Sequence, residues 1–167
     1  PWATGTELQH TAMKNTQAAF HWIIDILERH KITYKISGGL AARVYGATRA
    51  LADIDIEIDD ADILKLVEDV QAFIIFGPAR YKDENWELEL MTLKYEGQEI
   101  DIAGANAKIF NQQTQSWENC SSDLSTVEMK EVFGRIVPVE SEDSLLAYKT
   151  KIGRVVDIED VHQLASK

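Results

Sequence analysis

The chain has one cysteine and three prolines, and no apolar run that approaches the ~18–20 residues of a membrane span. A lone Cys120 excludes both an intramolecular disulfide framework and a cysteine-rich zinc site. The N-terminus lacks a basic segment followed by an apolar stretch, so no secretory signal is read there and a cytoplasmic location is expected. Basic residues are also scarce, 17 Lys and Arg against 28 Asp and Glu, a formal net charge of −11. A field of that sign repels nucleic-acid phosphates and attracts cations, which disfavours a nucleic-acid partner.

At 167 residues and 45% hydrophobic content, the composition is that of an ordinary globular domain with one core. Residues 1–12 precede Met13 and are read as an N-terminal extension or expression scar, leaving 13–167 as a single domain. From Lys14 to His30, Ala18, Phe20, Ile23, Ile24 and Leu27 recur at helical spacing. Ile32, Tyr34 and Ile36 then alternate with polar residues as a short strand running into Ser37-Gly38-Gly39. A short helix follows and ends at Gly46. Beyond the acidic segment 53–59, Asp60 or Asp62 can cap a helix that buries Ile63, Leu66, Val67 and Val70. An apolar run, 73–76, is broken by Gly77-Pro78, and 87–95 and 98–102 read as a hairpin across Glu96-Gly97. The polar stretch 106–125 is expected to be mostly loop, 132–139 to contain a last strand, and 141–151 and 157–165 to close the chain as helices. The layout is α+β, a mixed sheet flanked by helices.

The segment Asp53 to Asp59 carries the chemistry. Acids at 53, 55, 57 and 59 alternate with isoleucines at 54, 56 and 58, so a strand puts every acid on one face. Asp53 and Asp55 are then about 6–7 Å apart at Cα. Such a pair can hold hard divalent cations, Mg²⁺ or Mn²⁺, as in displacement at phosphorus. Asp101, again between isoleucines, is a candidate third carboxylate, with Glu99 on the same face. The alternation alone favours a solvated face; the Ser-Gly-Gly turn within fifteen residues upstream, whose N–H groups can cradle phosphate, shifts the balance.

Gly38-Gly39, thirteen residues, then Asp53-Ile54-Asp55 resembles the signature of the nucleotidyltransferase superfamily, the DNA polymerase β-like fold. The string from Ser37 to Arg49 is similar to a small bacterial branch, which includes lincosamide and aminoglycoside nucleotidyltransferases and nucleotidyltransferase toxins. The run Leu145 to Lys149 with Arg154, Asp157 and Asp160 is similar to that branch's closing helices. The resemblance implies that Ser37, Gly38 and Gly39 hold the β- and γ-phosphates of a nucleoside triphosphate, with ATP the expected co-substrate. It implies that Asp53 and Asp55 bind Mg²⁺ or Mn²⁺, and that Asp101 is either a third ligand or the general base. Arg49 and Lys149 would contact or neutralise phosphate, while Arg154, Asp157 and Asp160 would lock helices together. The chain departs from the pattern at Leu51, where the family usually has a small hydroxyl residue.

The implied activity is transfer of a nucleoside monophosphate from the triphosphate to a hydroxyl of a small acceptor such as an antibiotic, with cationic acceptors among the candidates. Asp59, Asp60, Asp83, Glu84, Glu87 and Glu89 are candidates to line a cleft for an amine, or equally to be solvating charges. Alternatives are a toxin-like enzyme acting on tRNA or protein, and a nucleotide-binding module without turnover. A homodimer is expected because so short a chain has little room for a second domain. Trp22, Trp86 and Trp117 are candidates for stacking on a base or drug, Glu57 is read as a solvated neighbour of the acidic pair, and the four histidines and Cys120 show no ligand or catalytic spacing.

Overall fold

The computed structural model describes residues 14–166; the segment 1–12 read as an extension lies outside them. In chain order they form α1 (Thr16–Arg29), β1 (Tyr34–Ser37), α2 (Gly38–Val44), β2 (Asp53–Ile58), a 3-10 turn and α3 (Ile63–Val70), then β3 (Ile74–Lys82), β4 (Trp86–Tyr95) and β5 (Gln98–Gly104). There follow β6 (Asn106–Asn111), β7 (Ser116–Ser121), β8 (Val127–Val132), β9 (Arg135–Glu140), α4 (Glu142–Ile152) and α5 (Val155–Ala165).

β2 organises the sheet. Its isoleucines 54, 56 and 58 are fully buried while its acids stay half-buried, as a pleat of period two requires. It pairs antiparallel with β1 and parallel with β5, which places it in the interior of a nine-stranded sheet of order β7-β6-β4-β5-β2-β1-β9-β8, with β3 on the free edge of β4. The mixture of parallel and antiparallel pairs with packed helices is the α+β class read from the sequence.

Behind the isoleucine face, α1 buries Phe20, Ile23, Ile24 and Leu27 in the same core as Ile63, Leu66 and Val70 of α3. Asn15 caps α1 by accepting from the Ala18 N–H at 2.9 Å. Trp22 closes this side, stacked on Tyr95 with centroids 4.3 Å apart.

The acid face is roofed by α4 and α5, which are joined at Gly153 in the left-handed conformation (φ 62°). Their junction is ionic. Lys149 Nζ lies 3.0 Å from both Asp157 and Asp160, and Arg154 Nε donates to Asp157 at 2.7 Å. Arg49, on the segment between α2 and β2, forks onto Asp160 at 2.9 and 3.0 Å. Lys149, Asp157 and Asp160 are buried, so the network satisfies charges that water cannot reach. The ion pairs expected of Arg154, Asp157 and Asp160 are present.

Three segments differ from the sequence reading. The stretch 106–125 is mostly a hairpin, β6 paired with β7 over six registers, turned at Gln115 (φ 55°). Its ladder is satisfied by backbone, so its exposed positions can be polar, as Asn106, Lys108, Asn119 and Ser121 are. β3 runs on through Gly77-Pro78, because register shifts on either side of Phe76 absorb the proline at the edge of the sheet. β8, whose exposed face carries charge, pairs with β9 across Phe133-Gly134, both at positive φ. Neither Asp60 nor Asp62 caps α3 through its side chain; Asp59 accepts instead from Ala61 N–H at the 3-10 turn.

Asp160→Ala leaves Arg49 without its carboxylate and Lys149 with one of two. Loss of about 3–5 kcal/mol of unfolding free energy is expected in urea denaturation; a loss below about 1 kcal/mol would show that the network is not what joins the roof to the sheet.

Candidate active site

Strand register assembles the site. Asp55 lies directly opposite Ser37 on one side and Asp101 on the other, and Asp101 lies opposite Thr92 of β4. One residue pair along, Asp53 lies opposite Glu99. Asp53, Asp55 and Asp101 each bring a carboxylate oxygen within 4.8 Å of the other two. Thr92 Oγ1 donates to Asp101 Oδ1 at 2.7 Å, which fixes that carboxylate and leaves its second oxygen to the cluster.

The Gly-Gly turn is required twice. Gly38 has φ 59°, and a Cβ there would overlap the Asp55 carboxylate. A Cβ on Gly39 would stand 2.9 Å from Arg49 Nη2. The first glycine thus lets backbone approach the acids, and the second lets the start of α2 sit on the ionic network. Ser37 is extended, makes no side-chain cap bond, and faces the cavity beside Gly38. Leu51, the departure from the family pattern, is a core residue whose carbonyl accepts from the Lys14 ammonium.

Crowding shows in the acidities. Burial and the Asp101 carboxylate push Asp53 from 3.8 up to about 6, and the same two causes push Asp55 to about 7. Burial raises Asp101 too, against the Thr92 hydroxyl, which lowers it. Three oxygen donors converging with uncompensated charge are a donor set suited to Mg²⁺ or Mn²⁺.

Asp55 and Asp101 of the trio line a cavity of about 660 Å³ between sheet and roof. Trp86, Leu88 and Leu90 of β4, Phe76 and Tyr81 of β3, and Ile109 of β6 form its apolar wall, while Tyr148, Lys149, Lys151 and Arg154 descend from the roof. The Arg154 guanidinium lies 4.8 Å over the Trp86 ring. Of the three tryptophans proposed to stack on a ligand, Trp86 alone lines this cavity; Trp22 is packed on Tyr95, and Trp117 lies beneath Lys82.

Ser37, Gly38, Asp53, Asp55 and Asp101 are therefore brought together as expected. Gly39, Arg49 and Lys149, expected at the phosphates, adjoin the site through the Asp160 network, with Lys149 in the cavity wall. None of Asp59, Asp60, Asp83, Glu84, Glu87 and Glu89 lines the cavity. Asp59 and Asp60 border a separate small depression, Asp83 caps the β3–β4 turn, and Glu87 and Glu89 pair with Arg80. Missed by sequence reasoning was Lys35, a fully buried ammonium held 3.5 Å from Glu57 and 3.7 Å from Glu140. Its alternation with Tyr34 and Ile36 gave its face but not its partners, which come from register.

No protein-family model matches the chain, and no curated protein matches it by sequence. Solved structures do. A Thermotoga maritima protein described provisionally as a nucleotidyltransferase superposes with a TM-score of 0.66 at 20% identity, over 94% of this chain and 98% of that one. The lincosamide antibiotic adenylyltransferase LnuA, in a lincomycin-bound structure, gives 0.61 at 21% identity, over 92% and 98%. ANT(2″)-Ia in complex with adenylyl-2″-tobramycin gives 0.58 at 15%, over 90% and 87%. The chain thus has the nucleotidyltransferase fold over nearly its whole length.

The raised acidities have a signed consequence. Folded values of about 6 and 7, against 3.8, mean that the metal-free folded chain binds more protons than the unfolded one between about pH 4 and 7. Stability from this source is complete below about pH 4 and is lost as pH rises through 7. Asp55→Asn is therefore expected to melt several degrees above wild type at pH 8 in chelator, with the gap narrowing at pH 5. An equal or lower melting temperature for the variant at pH 8 would refute the repulsion.

Proposed function

We propose that the chain is a divalent-metal-dependent nucleotidyltransferase that moves a nucleoside monophosphate from a nucleoside triphosphate, ATP first among them, to a hydroxyl of a small acceptor. The observation that carries this reading is the convergence of Asp53, Asp55 and Asp101 beside the opened turn at Gly38. The fold it shares with antibiotic adenylyltransferases supports the class, and their named ligands, lincomycin and tobramycin, support a hydroxylated amine as acceptor.

The residues divide the work. Ser37 and Gly38, which line the cavity, would meet the triphosphate, and Gly38 keeps the approach free of a side chain. Lys149 adds positive potential in the cavity wall, and Arg154, partly open to the cavity, is placed to meet the polyphosphate. Arg49 acts from behind, holding Gly39 and the start of α2 on Asp160. Asp53 and Asp55 would hold Mg²⁺ or Mn²⁺ with Asp101 in reach; the bound cation supplies charge neutralisation at the phosphates. Asp101, its other oxygen fixed by Thr92, takes the proton from the acceptor hydroxyl. The hydroxyl oxygen forms a bond to the α-phosphorus, the bridging bond to the β-phosphate breaks, and pyrophosphate leaves.

Thermal unfolding with each nucleoside triphosphate, with and without Mg²⁺, tests the site. Ligand at one hundred times its dissociation constant adds about 2.7 kcal/mol, a shift of several degrees for a chain of this size. A Mg²⁺-dependent shift in wild type that disappears in Asp53→Asn/Asp55→Asn is expected. No shift with any nucleotide at millimolar concentration would overturn the reading.

A further inference from the structure

An edge strand keeps a row of backbone N–H and C=O groups that a further strand can pair with. Among the described residues the sheet has such edges at β3, β7 and β8. β3 is interrupted by Pro78 and by register shifts on either side of Phe76, which spoil it as a template. β7 carries a single charged residue, Glu118, and so has no opposite charge to offer a second β7. β8 differs from both. It reads Val-Glu-Met-Lys-Glu-Val, with no proline, no glycine and no register shift against β9.

The β8–β9 turn fixes which groups β8 leaves over. Val132 and Arg135 flank the two-residue turn at Phe133 and Gly134, so they exchange hydrogen bonds across the hairpin. Alternation then commits Lys130 and Glu128 to β9, and Ser141 N–H, donating to the Thr126 carbonyl at 3.2 Å, continues the series. Met129 and Glu131 therefore turn their N–H and C=O groups to the open edge. Pro138 stands opposite Met129, where no donor toward β8 is needed. On that same face Met129 is 60% exposed and Ile136 of β9 is 63% exposed.

A second β8 can be laid antiparallel along this edge only where edge-facing residues meet edge-facing residues. With a two-fold axis at Met129, each Glu128 stands opposite the partner's Lys130, each Val127 opposite the partner's Glu131, and the two methionines cover each other. An axis at Glu128, Lys130 or Glu131 sets a charge against its own copy, and one at Val127 runs off the start of the strand. The sequence is thus complementary to itself in one register. We infer that β8 is a dimerisation edge: two copies of this chain join β8 to β8 about a two-fold axis at Met129 and make one continuous sheet.

The test is light scattering on the whole chain at concentrations up to about 0.1 mM, together with disulfide trapping of the register. Wild type is expected to be a dimer. Lys130→Glu, which sets like charges across the axis, should raise the dimer dissociation constant tenfold or more while the far-UV spectrum and the cooperative melt stay unchanged. Trapping is done in a Cys120→Ser background. Met129→Cys should link readily under mild oxidation, because a residue on the axis lies about 5.5 Å from its copy at Cα, within disulfide reach. Ile136→Cys should not link, since the two copies of that position are separated by three strand spacings, about 14 Å. Trapping keeps Lys130 in place, so it decides the matter even where Lys130→Glu fails to fold. A monomeric wild type, an unchanged dissociation constant in Lys130→Glu, no linkage in Met129→Cys, or linkage of Ile136→Cys as fast as Met129→Cys would each overturn the inference.

Discussion

Three carboxylates are held closer than they would choose to be, and much of the molecule follows from holding them there. Repulsion within the trio is opposed by the burial of isoleucines on the reverse of the same strands. Ile54, Ile56, Ile100 and Ile102 are all fully buried, and each is bonded in sequence to one of the acids. Neither strand can turn an acid away without turning an isoleucine into water, at about 1.5–3 kcal/mol for each side chain exposed. The hydrophobic core thus imposes the electrostatic arrangement.

The roof answers a different constraint. α4 and α5 bury Leu145 and Leu164 in the core, and their junction is fastened by Lys149, Asp157, Asp160, Arg154 and Arg49. Such pairs add little net stability over well-packed apolar groups, but they are directional. They set Arg154 over Trp86 and bring Arg49 against Gly39, so the helix start, the roof and the cavity wall share one geometry.

The trio was legible because two alternating strands and a Gly-Gly turn each give an unambiguous local signal. Alternation fixes the face of Asp53, Asp55 and Asp101, and adjacency of β2 and β5 does the rest. Register is not local, which is why Lys35 and its carboxylates stayed hidden and why the strand pattern does not separate the scattered surface acids from cavity residues. Glu57 read as solvated from its strand alone, since the ammonium that engages it belongs to β1. The β6–β7 hairpin was missed for a related reason: its ladder depends on backbone pairing, and side chains such as Asn and Ser carry little strand signal of their own.

One feature of the sheet bears on how such a site changes over time. β5 and β6 follow the same edge of β4, first Asp101 opposite Thr92, then Ile109 opposite Trp86, with the chain bending only at Gly104 and Ala105. Asp101 and part of the apolar wall therefore ride on a single ribbon with no intervening loop. Side chains along its far half can be exchanged one at a time, reshaping what the cavity admits, while the near half stays clamped between β2 and β4. Divergence of ligand preference in such a scaffold needs no insertion, no hinge and no new domain, only point replacements beyond the bend.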